Sequence, residues 1–341
     1  MKHIAAAALL LLLAGGNATA EPEQAVAAIH ELPLQPVVHS SETMLVSNCG
    51  QFVYLAHPPC RAVSVNQAAT ELLLALGLER RMVGTAYLDA AVRPDLLPAY
   101  QQVPVLAAKA PGRESLLAEE PDFVYATFSG MFSDASLGSR PMLHELGIPT
   151  YVSPVFCPGR KEPLTLEELL GEILDIGGIF KAQGRADALV ADIRQRVART
   201  AAKLKERGQP PVRAFLFDMD DRSPYTAGRL GPQQLLLTLA GAENIFSDIE
   251  ARMANVSWEA VLERDPELIV IVDSLWSTAA HKLDLLQSNP ALHQLRAVRT
   301  GRLVTMPFPD LMPGIRFGES VEKLAAAFHP EAQTAPTEAA P

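Results

Sequence analysis

From about Leu164 to Arg207 the chain shows no strand signal, and this stretch constrains the fold more than any other. Apolar residues recur at helical spacing through Leu166, Leu169, Leu170, Ile173, Leu174 and Ile176, and again through Ala186, Leu189, Val190, Ile193 and Val197. Gly177-Gly178 and Gly184 are expected to break the stretch into two helices. The second, roughly Arg185 to Glu206, would be about 30 Å long, enough to cross from one lobe to another. A lone coiled coil is the competing reading, but the heptad is not kept.

On both sides of this stretch short strands alternate with helices. The first half opens on a hairpin, Met44-Leu45-Val46-Ser47 and Phe52-Val53-Tyr54-Leu55 around Cys49-Gly50. Strand signals follow at Arg61 to Val65, Met82 to Thr85, Val103 to Val105, Pro121 to Ala126 and Pro149 to Val152, with helical patterns ending at Gly77 and Gly147. After Gln209-Pro210-Pro211 the alternation resumes, with strands at Val212 to Phe217, Leu268 to Val272 and Leu303 to Met306. The halves echo one another: Glu114 to Tyr125 and Glu259 to Val270 share the order Glu, helix, acidic residue, Pro, acidic residue, apolar strand. The pattern predicts an α/β fold of two similar lobes with parallel sheets, joined by one long backbone helix, with a ligand cleft between them. The expected organisation is an N-terminal lobe over 43–163, linker helices over 164–207, and a C-terminal lobe over 208–330. A Pro-, Ala- and Glu-rich arm over 21–42 precedes them and a disordered tail over 331–341 follows.

Residues 1–20 carry a targeting signal: the basic start Met1-Lys2-His3, an apolar run from Ile4 to Ala14 too short to span a bilayer, and the small-x-small site Ala18-Thr19-Ala20. Export and cleavage near Ala20 predict a soluble periplasmic protein, and no Cys follows the run to carry a lipid. In an oxidising compartment Cys49, Cys60 and Cys157 allow one disulfide and one spare thiol, and spacing alone does not choose the pair. The formal charge of −10 supplies no basic field for nucleic acid, so any arginine that meets an anion acts locally.

Catalytic signatures are missing from the sequence. It contains no G-x-G-x-x-G turn, no P-loop and no G-x-S-x-G elbow, so neither a nucleotide cofactor nor catalysis is expected. Of the histidines, His3, His30, His39 and His329 fall in the signal, arm or tail, and His57, His144, His281 and His293 stand at no metal-ligand spacing; no metal site is expected. What remains is binding. In an open α/β sheet a ligand lies beyond the carboxyl ends of the strands. The post-strand candidates are Asn66, Gln67, Tyr87, Phe128, Tyr225, Trp276 and Phe308, with Arg252 and Arg316 placed to pair with anionic oxygens of a ligand.

Arg61-Ala62-Val63-Ser64-Val65-Asn66-Gln67-Ala68-Ala69-Thr70-Glu71-Leu72 and Arg81-Met82-Val83-Gly84, with Glu114-Ser115-Leu116-Leu117 and Glu120-Pro121-Asp122, resemble the helical-backbone (class III) periplasmic binding proteins of ABC importers for ferric siderophores, haem and vitamin B12. Ala240-Gly241-Ala242-Glu243-Asn244, Val256-Ser257-Trp258-Glu259 and Asp265-Pro266-Glu267-Leu268 extend the resemblance over about residues 43 to 328. It implies limited hinge motion around a shallow cleft, and a monomer whose Glu114 and Glu259 dock on arginines of an ABC permease that works with an ATPase. Asn66-Gln67 and the run Gly84 to Asp89 look most like the ferric-siderophore branch, so the ligand implied is a small-molecule iron chelate, an Fe(III)-siderophore, and the protein needs no cofactor of its own. Haem would require an axial Tyr or His, for which Tyr87 and Tyr225 are candidates; vitamin B12 would favour tryptophan walls, and only Trp258 and Trp276 exist. Capture of a bare metal ion, as an iron-release accessory, is a further alternative. The same branch implies a Cys49–Cys157 bridge with Cys60 spare, the rival being Cys49–Cys60.

Overall fold

The structure is a computed structural model that describes residues 44–330. The expected signal, arm and tail lie outside the described residues.

The chain enters through a hairpin of β1 (Met44–Asn48) and β2 (Gln51–Leu55), whose two-residue turn places both Cys49 (φ 52°) and Gly50 (φ 73°) in the left-handed region, as a type I′ turn requires. The N-terminal lobe then winds through β3 (Ala62–Val65), α1 (Gln67–Ala75), β4 (Met82–Ala86), α2 (Leu97–Tyr100), β5 (Val105–Ala107), α3 (Arg113–Leu117), β6 (Phe123–Ala126), α4 (Arg140–Glu145) and β7 (Thr150–Val152). Its strands form one parallel sheet in the order β5-β4-β3-β6-β7. Every residue of β3 and β6 is buried, as a sheet covered on both faces demands. A disulfide joins Cys49 to Cys157, across 108 residues and 5.1 Å between Cα atoms, and pins the hairpin to the segment after β7. Cys60 is a free, exposed thiol.

Two helices follow, α5 (Leu166–Ile179) and α6 (Gln183–Arg207). The first is started by a reciprocal capping box between Thr165 and Glu168. It does not break at Gly177-Gly178 as expected: both glycines lie inside α5, and the chain turns only at Phe180–Ala182. The reason is a close approach. A Cβ on Gly177 would lie 2.3 Å from the Cβ of Ala186 on α6, so only glycine lets the two helices touch there. The buried residues of α6 are Ala186, Val190, Ile193, Val197 and Thr200, spaced by four and three. This seam keeps the coiled-coil interval that the sequence had seemed to lack, but it serves two different neighbours, α5 and the last helix of the C-terminal lobe.

That lobe runs through β8 (Val212–Phe217), β9 (Tyr225–Ala227), α7 (Pro232–Leu239), β10 (Ala242–Asn244), β11 (Met253–Asn255), α8 (Trp258–Arg264), β12 (Leu268–Asp273), α9 (Ala279–Ser288), α10 (Arg296–Arg299), β13 (Leu303–Pro307) and α11 (Phe317–Phe328). Its parallel sheet has the order β10-β8-β12-β13, and β9 and β11 form a small antiparallel ribbon. The expected architecture of two parallel α/β lobes joined by a long helix is therefore what the chain adopts. The echo between the halves is structural as well. In each lobe a short helix, α3 or α8, leads through a left-handed acidic residue and a proline, Glu120-Pro121 or Asp265-Pro266, into the strand beside the first strand of the sheet. The following acid then accepts from the backbone that opens that first strand: Asp122 from the N–H groups of Cys60 and Arg61, Glu267 from that of Arg213.

Inside the N-terminal lobe, Glu172 of α5 is buried and accepts hydrogen bonds from the Tyr125 hydroxyl and, at 2.7 Å, the Ser153 hydroxyl. Burial pushes its carboxyl up to about 7, against those two hydrogen bonds, with the nearby Asp175 adding like-charge repulsion. A carboxyl that ionises later in the folded than in the unfolded chain stabilises the fold fully below its unfolded value of 4.5, and that contribution is lost as pH rises toward about 7. Glu172→Gln keeps the shape but cannot ionise. Urea unfolding at about pH 5 and about pH 8 should show the parent losing on the order of 3 kcal/mol more than the variant over that interval. Equal losses in the two proteins would remove Glu172 as the source.

Candidate functional site

The carboxyl ends of both parallel sheets open on one cavity of about 650 Å³, the size of a small-molecule site. The N-terminal lobe contributes Tyr87, directly after β4, Phe128, two residues after β6, and Phe156, in the turn after β7. From the C-terminal lobe come Asp218 and Met219 after β8, Tyr225 at the start of β9, Pro232 and Gln233 at the start of α7, Arg252, Met253, Trp276 after β12, and Phe308 and Met312 after β13.

The rings are arranged in pairs. Phe128 meets Phe156 edge to face at 4.6 Å, and Trp276 meets Phe308 at 4.9 Å. Arg252 lies 5.9 Å over the Phe156 ring and donates from Nη1 to the Cys157 carbonyl at 3.1 Å, a contact that links the lobes beside the disulfide. Arg252 lines the cavity together with Tyr225 and its phenol. Burial and the charge of Asp218 raise the pKa of that phenol, while Arg252 opposes them. The turn that presents Gln233 is tight: a Cβ on Gly231 would lie 2.5 Å from the Arg252 carbonyl oxygen and 2.9 Å from Gln233 Oε1.

Of the ligand-wall candidates read from the sequence, Tyr87, Phe128, Tyr225, Arg252, Trp276 and Phe308 line this cavity. Asn66, Gln67 and Arg316 do not. Asn66 is 2% exposed and sits at φ 77°, with its N–H on the Ala86 carbonyl, so it turns the chain from β3 into α1 rather than facing a ligand. Gln67 is equally buried, and its amide holds the 89–91 loop and Glu71. Arg316 is taken up by acids of the protein itself: Nε and Nη2 grip the two oxygens of Glu71 at 2.7 and 2.5 Å, and Nη1 reaches Asp310 at 2.8 Å. Burial disfavours the charge of this guanidinium, but the hydrogen bonds and charges of Glu71 and Asp310 outweigh it and raise its pKa. The pair joins α1 of one lobe to the start of α11 in the other. Trp258, the second tryptophan considered, packs in the core against Phe215 and Phe217.

Phe156, Asp218 and Gln233 were missed. Asp218, directly after β8, and Phe156, in the turn after β7, obey the rule that found their neighbours, whereas Gln233 reaches the cavity only through tertiary folding. Glu114 and Glu259 are both exposed, in the first turns of α3 and α8, and neither carboxylate has a hydrogen bond or ion pair among the described residues. No group of three His, Cys, Asp or Glu side chains among the described residues is placed to hold a metal ion, and no described helix is long and apolar enough to cross a membrane.

The sequence profile of a family described as periplasmic binding protein matches residues 63–309. The chain is 27% identical, over 82% of its length and 83% of the relative's, to an uncharacterized ABC transporter substrate-binding lipoprotein, YvrC, of Bacillus subtilis. It is 26% identical to a vitamin B12-binding protein of Yersinia pestis, over 70% of this chain and 78% of that one. Among solved structures, a periplasmic binding protein from Veillonella parvula superimposes with a TM-score of 0.75 at 28% identity, covering 85% of this chain and 99% of that one. An ABC-type Fe3+-hydroxamate transport system protein from Saccharomonospora viridis gives 0.70 at 25%, covering 83% and 98%. A periplasmic heme-binding protein from Pseudomonas aeruginosa gives 0.64 at 28%, covering 81% and 94%.

Proposed function

The chain belongs to the periplasmic binding protein family, and from that premise we propose that it captures a ferric siderophore in the interlobe cleft and delivers it to the permease and ATPase of an ABC importer. The observation that carries this reading is the cleft lining: paired aromatic rings and a guanidinium at the carboxyl ends of two parallel sheets. A siderophore fills the inner shell of its iron with its own oxygens, so the carrier needs flat apolar surface and hydrogen-bond donors rather than metal ligands. Fe3+-hydroxamate, heme and vitamin B12, in the names of the proteins above, are each a metal already held by an organic chelator, which supports a chelate rather than a bare ion as the ligand. Haem is the second reading, supported by the Tyr87 and Tyr225 phenols at the cleft, either of which offers an axial oxygen.

Calorimetric titration with ferric siderophores of several classes, haem, cobalamin and free metal ions tests the reading. The expected result is one-to-one binding of a ferric siderophore, weakened about 10- to 100-fold in Arg252→Ala, the loss of a charge-assisted hydrogen bond. Binding of a bare ion alone, with every chelate rejected, would overturn it. The exposed carboxylates of Glu114 and Glu259 fit docking on a basic permease surface. Glu114→Ala with Glu259→Ala should leave the titration unchanged and lower uptake by cells carrying the importer; undiminished uptake would dismiss the docking role.

A further inference from the structure

Two oxygen acceptors on the C-terminal wall of the cleft have no donor from the protein. Asp218, directly after β8, is 7% exposed, and its Oδ1 has no hydrogen-bond partner. Gln233, in the first turn of α7, is 5% exposed, and its Oε1 is in the same condition. Both residues line the cavity. An acceptor withdrawn from bulk water and left unpaired costs about 1–3 kcal/mol, and more if it is charged. Both oxygens are already withheld from solvent in the folded chain, so this cost is carried by the protein itself. A ligand that brings N–H groups to them gains by relieving it, and a ligand without such groups gains nothing there.

The charges around Asp218 reinforce the point. Lys282 is fully buried nearby, but its ammonium is committed to the carbonyls of Val272 and Ser277 at 2.6 and 2.7 Å. It attenuates the negative charge of Asp218 from a distance and donates no hydrogen bond to it. Burial pushes the Asp218 carboxyl up to about 6, which leaves it mostly ionised at neutral pH. Arg252, the one cation lining the cavity among the described residues, already donates to the Cys157 carbonyl. One wall of the cleft thus offers acceptors with negative charge, and a guanidinium belongs to the same wall.

We propose that the cleft selects a metal chelate bearing an N–H donor group, an ammonium or a primary carboxamide, which hydrogen-bonds to Asp218 and Gln233 while Arg252 takes an oxygen of the same ligand. This rests on the reading of the cleft as the site of a metal chelate. It narrows the class to chelates with peripheral N–H groups, such as an amine-terminated trihydroxamate or an amide-bearing corrinoid. It disfavours haem, whose peripheral carboxylates are acceptors only and offer no donor to Asp218 or Gln233.

Calorimetry on the parent, Asp218→Asn and Gln233→Leu, each checked for native circular dichroism, decides it. One arm compares ferrioxamine B, a trihydroxamate ending in an ammonium, with its N-acetylated form. The other compares cyanocobalamin with a derivative in which one side-chain carboxamide is hydrolysed to a carboxylate. Haem is the third probe. Expected in one arm is a preference of at least about 10-fold for the N–H-bearing member, the equivalent of one charge-assisted hydrogen bond, that falls toward unity in Asp218→Asn and is reduced in Gln233→Leu. Binding without preference, a preference that survives in Asp218→Asn, or binding of haem alone overturns the donor assignment and leaves the cleft in place as a chelate site. Rejection of every chelate overturns both.

Discussion

Glu71→Ala should lower the stability of the folded chain by about 3–5 kcal/mol, the range for removing one partner of a buried ion pair. Glu71 is 2% exposed and its partner Arg316 16%. The carboxylate also accepts from the Gln67 amide at 2.8 Å and the Arg93 backbone at 3.2 Å, so its loss strands several donors together. Asp310 remains to hold one edge of the guanidinium, itself anchored by Lys323 at 2.9 Å, which places the expected loss toward the lower end of the range. A double variant, Glu71→Ala with Arg316→Met, should recover part of the loss, because the uncompensated charge goes too. Urea midpoints of the parent, the two single variants and the double variant measure both terms. A single variant within about 0.5 kcal/mol of the parent would mean that this pair does not hold the lobes together.

Opening the Cys49–Cys157 bridge, by serine at both positions, is expected to cost about 2–5 kcal/mol. The bridge closes a loop across 108 residues, and in the chain-entropy account its main effect is to restrict the unfolded state. The hairpin keeps other attachments: Asn48 exchanges hydrogen bonds with Val152 at 2.8 and 2.9 Å, and Arg140 donates to both the Asn48 carbonyl and its side-chain oxygen. The loss should therefore appear as a lower global midpoint, with native circular dichroism and unchanged ligand affinity at low denaturant. A hairpin that detaches while the rest of the fold keeps its midpoint would contradict this account.

Much of this architecture is written in local patterns. Strand and helix periods, and the paired Glu-to-Pro segments at Glu114 to Pro121 and Glu259 to Pro266, are short-range signals, and both lobes follow them. The post-strand rule located Tyr87, Phe128, Trp276 and Phe308 because a parallel sheet places those positions at one edge whatever the rest of the chain does. It also covers Asp218, which directly follows β8 and was not among the candidates. Arg316 illustrates what local reading cannot supply. Asp310 lies only six residues before it, but the carboxylate that takes two of its nitrogens, Glu71, lies 245 residues away, and only the assembled lobes show that the charge is already satisfied. Gly177 is similar. A helix glycine reads as a breaker until the facing Ala186 shows that the missing side chain is what brings two helices together.

The two tryptophans occupy environments that differ in kind, and this gives the molecule two independent optical reporters. Trp258 is wedged between the edges of Phe215 and Phe217 and donates its indole N–H, at 2.6 Å, to the Asp221 carbonyl, so its emission follows the integrity of the C-terminal core. Trp276 is 46% exposed on the cleft wall, where a bound ferric chelate would quench it by direct proximity. Blue-edge emission thus reports whether the protein is folded, red-edge emission whether the cleft is occupied, and a Trp276→Phe substitution separates the two signals without a dye.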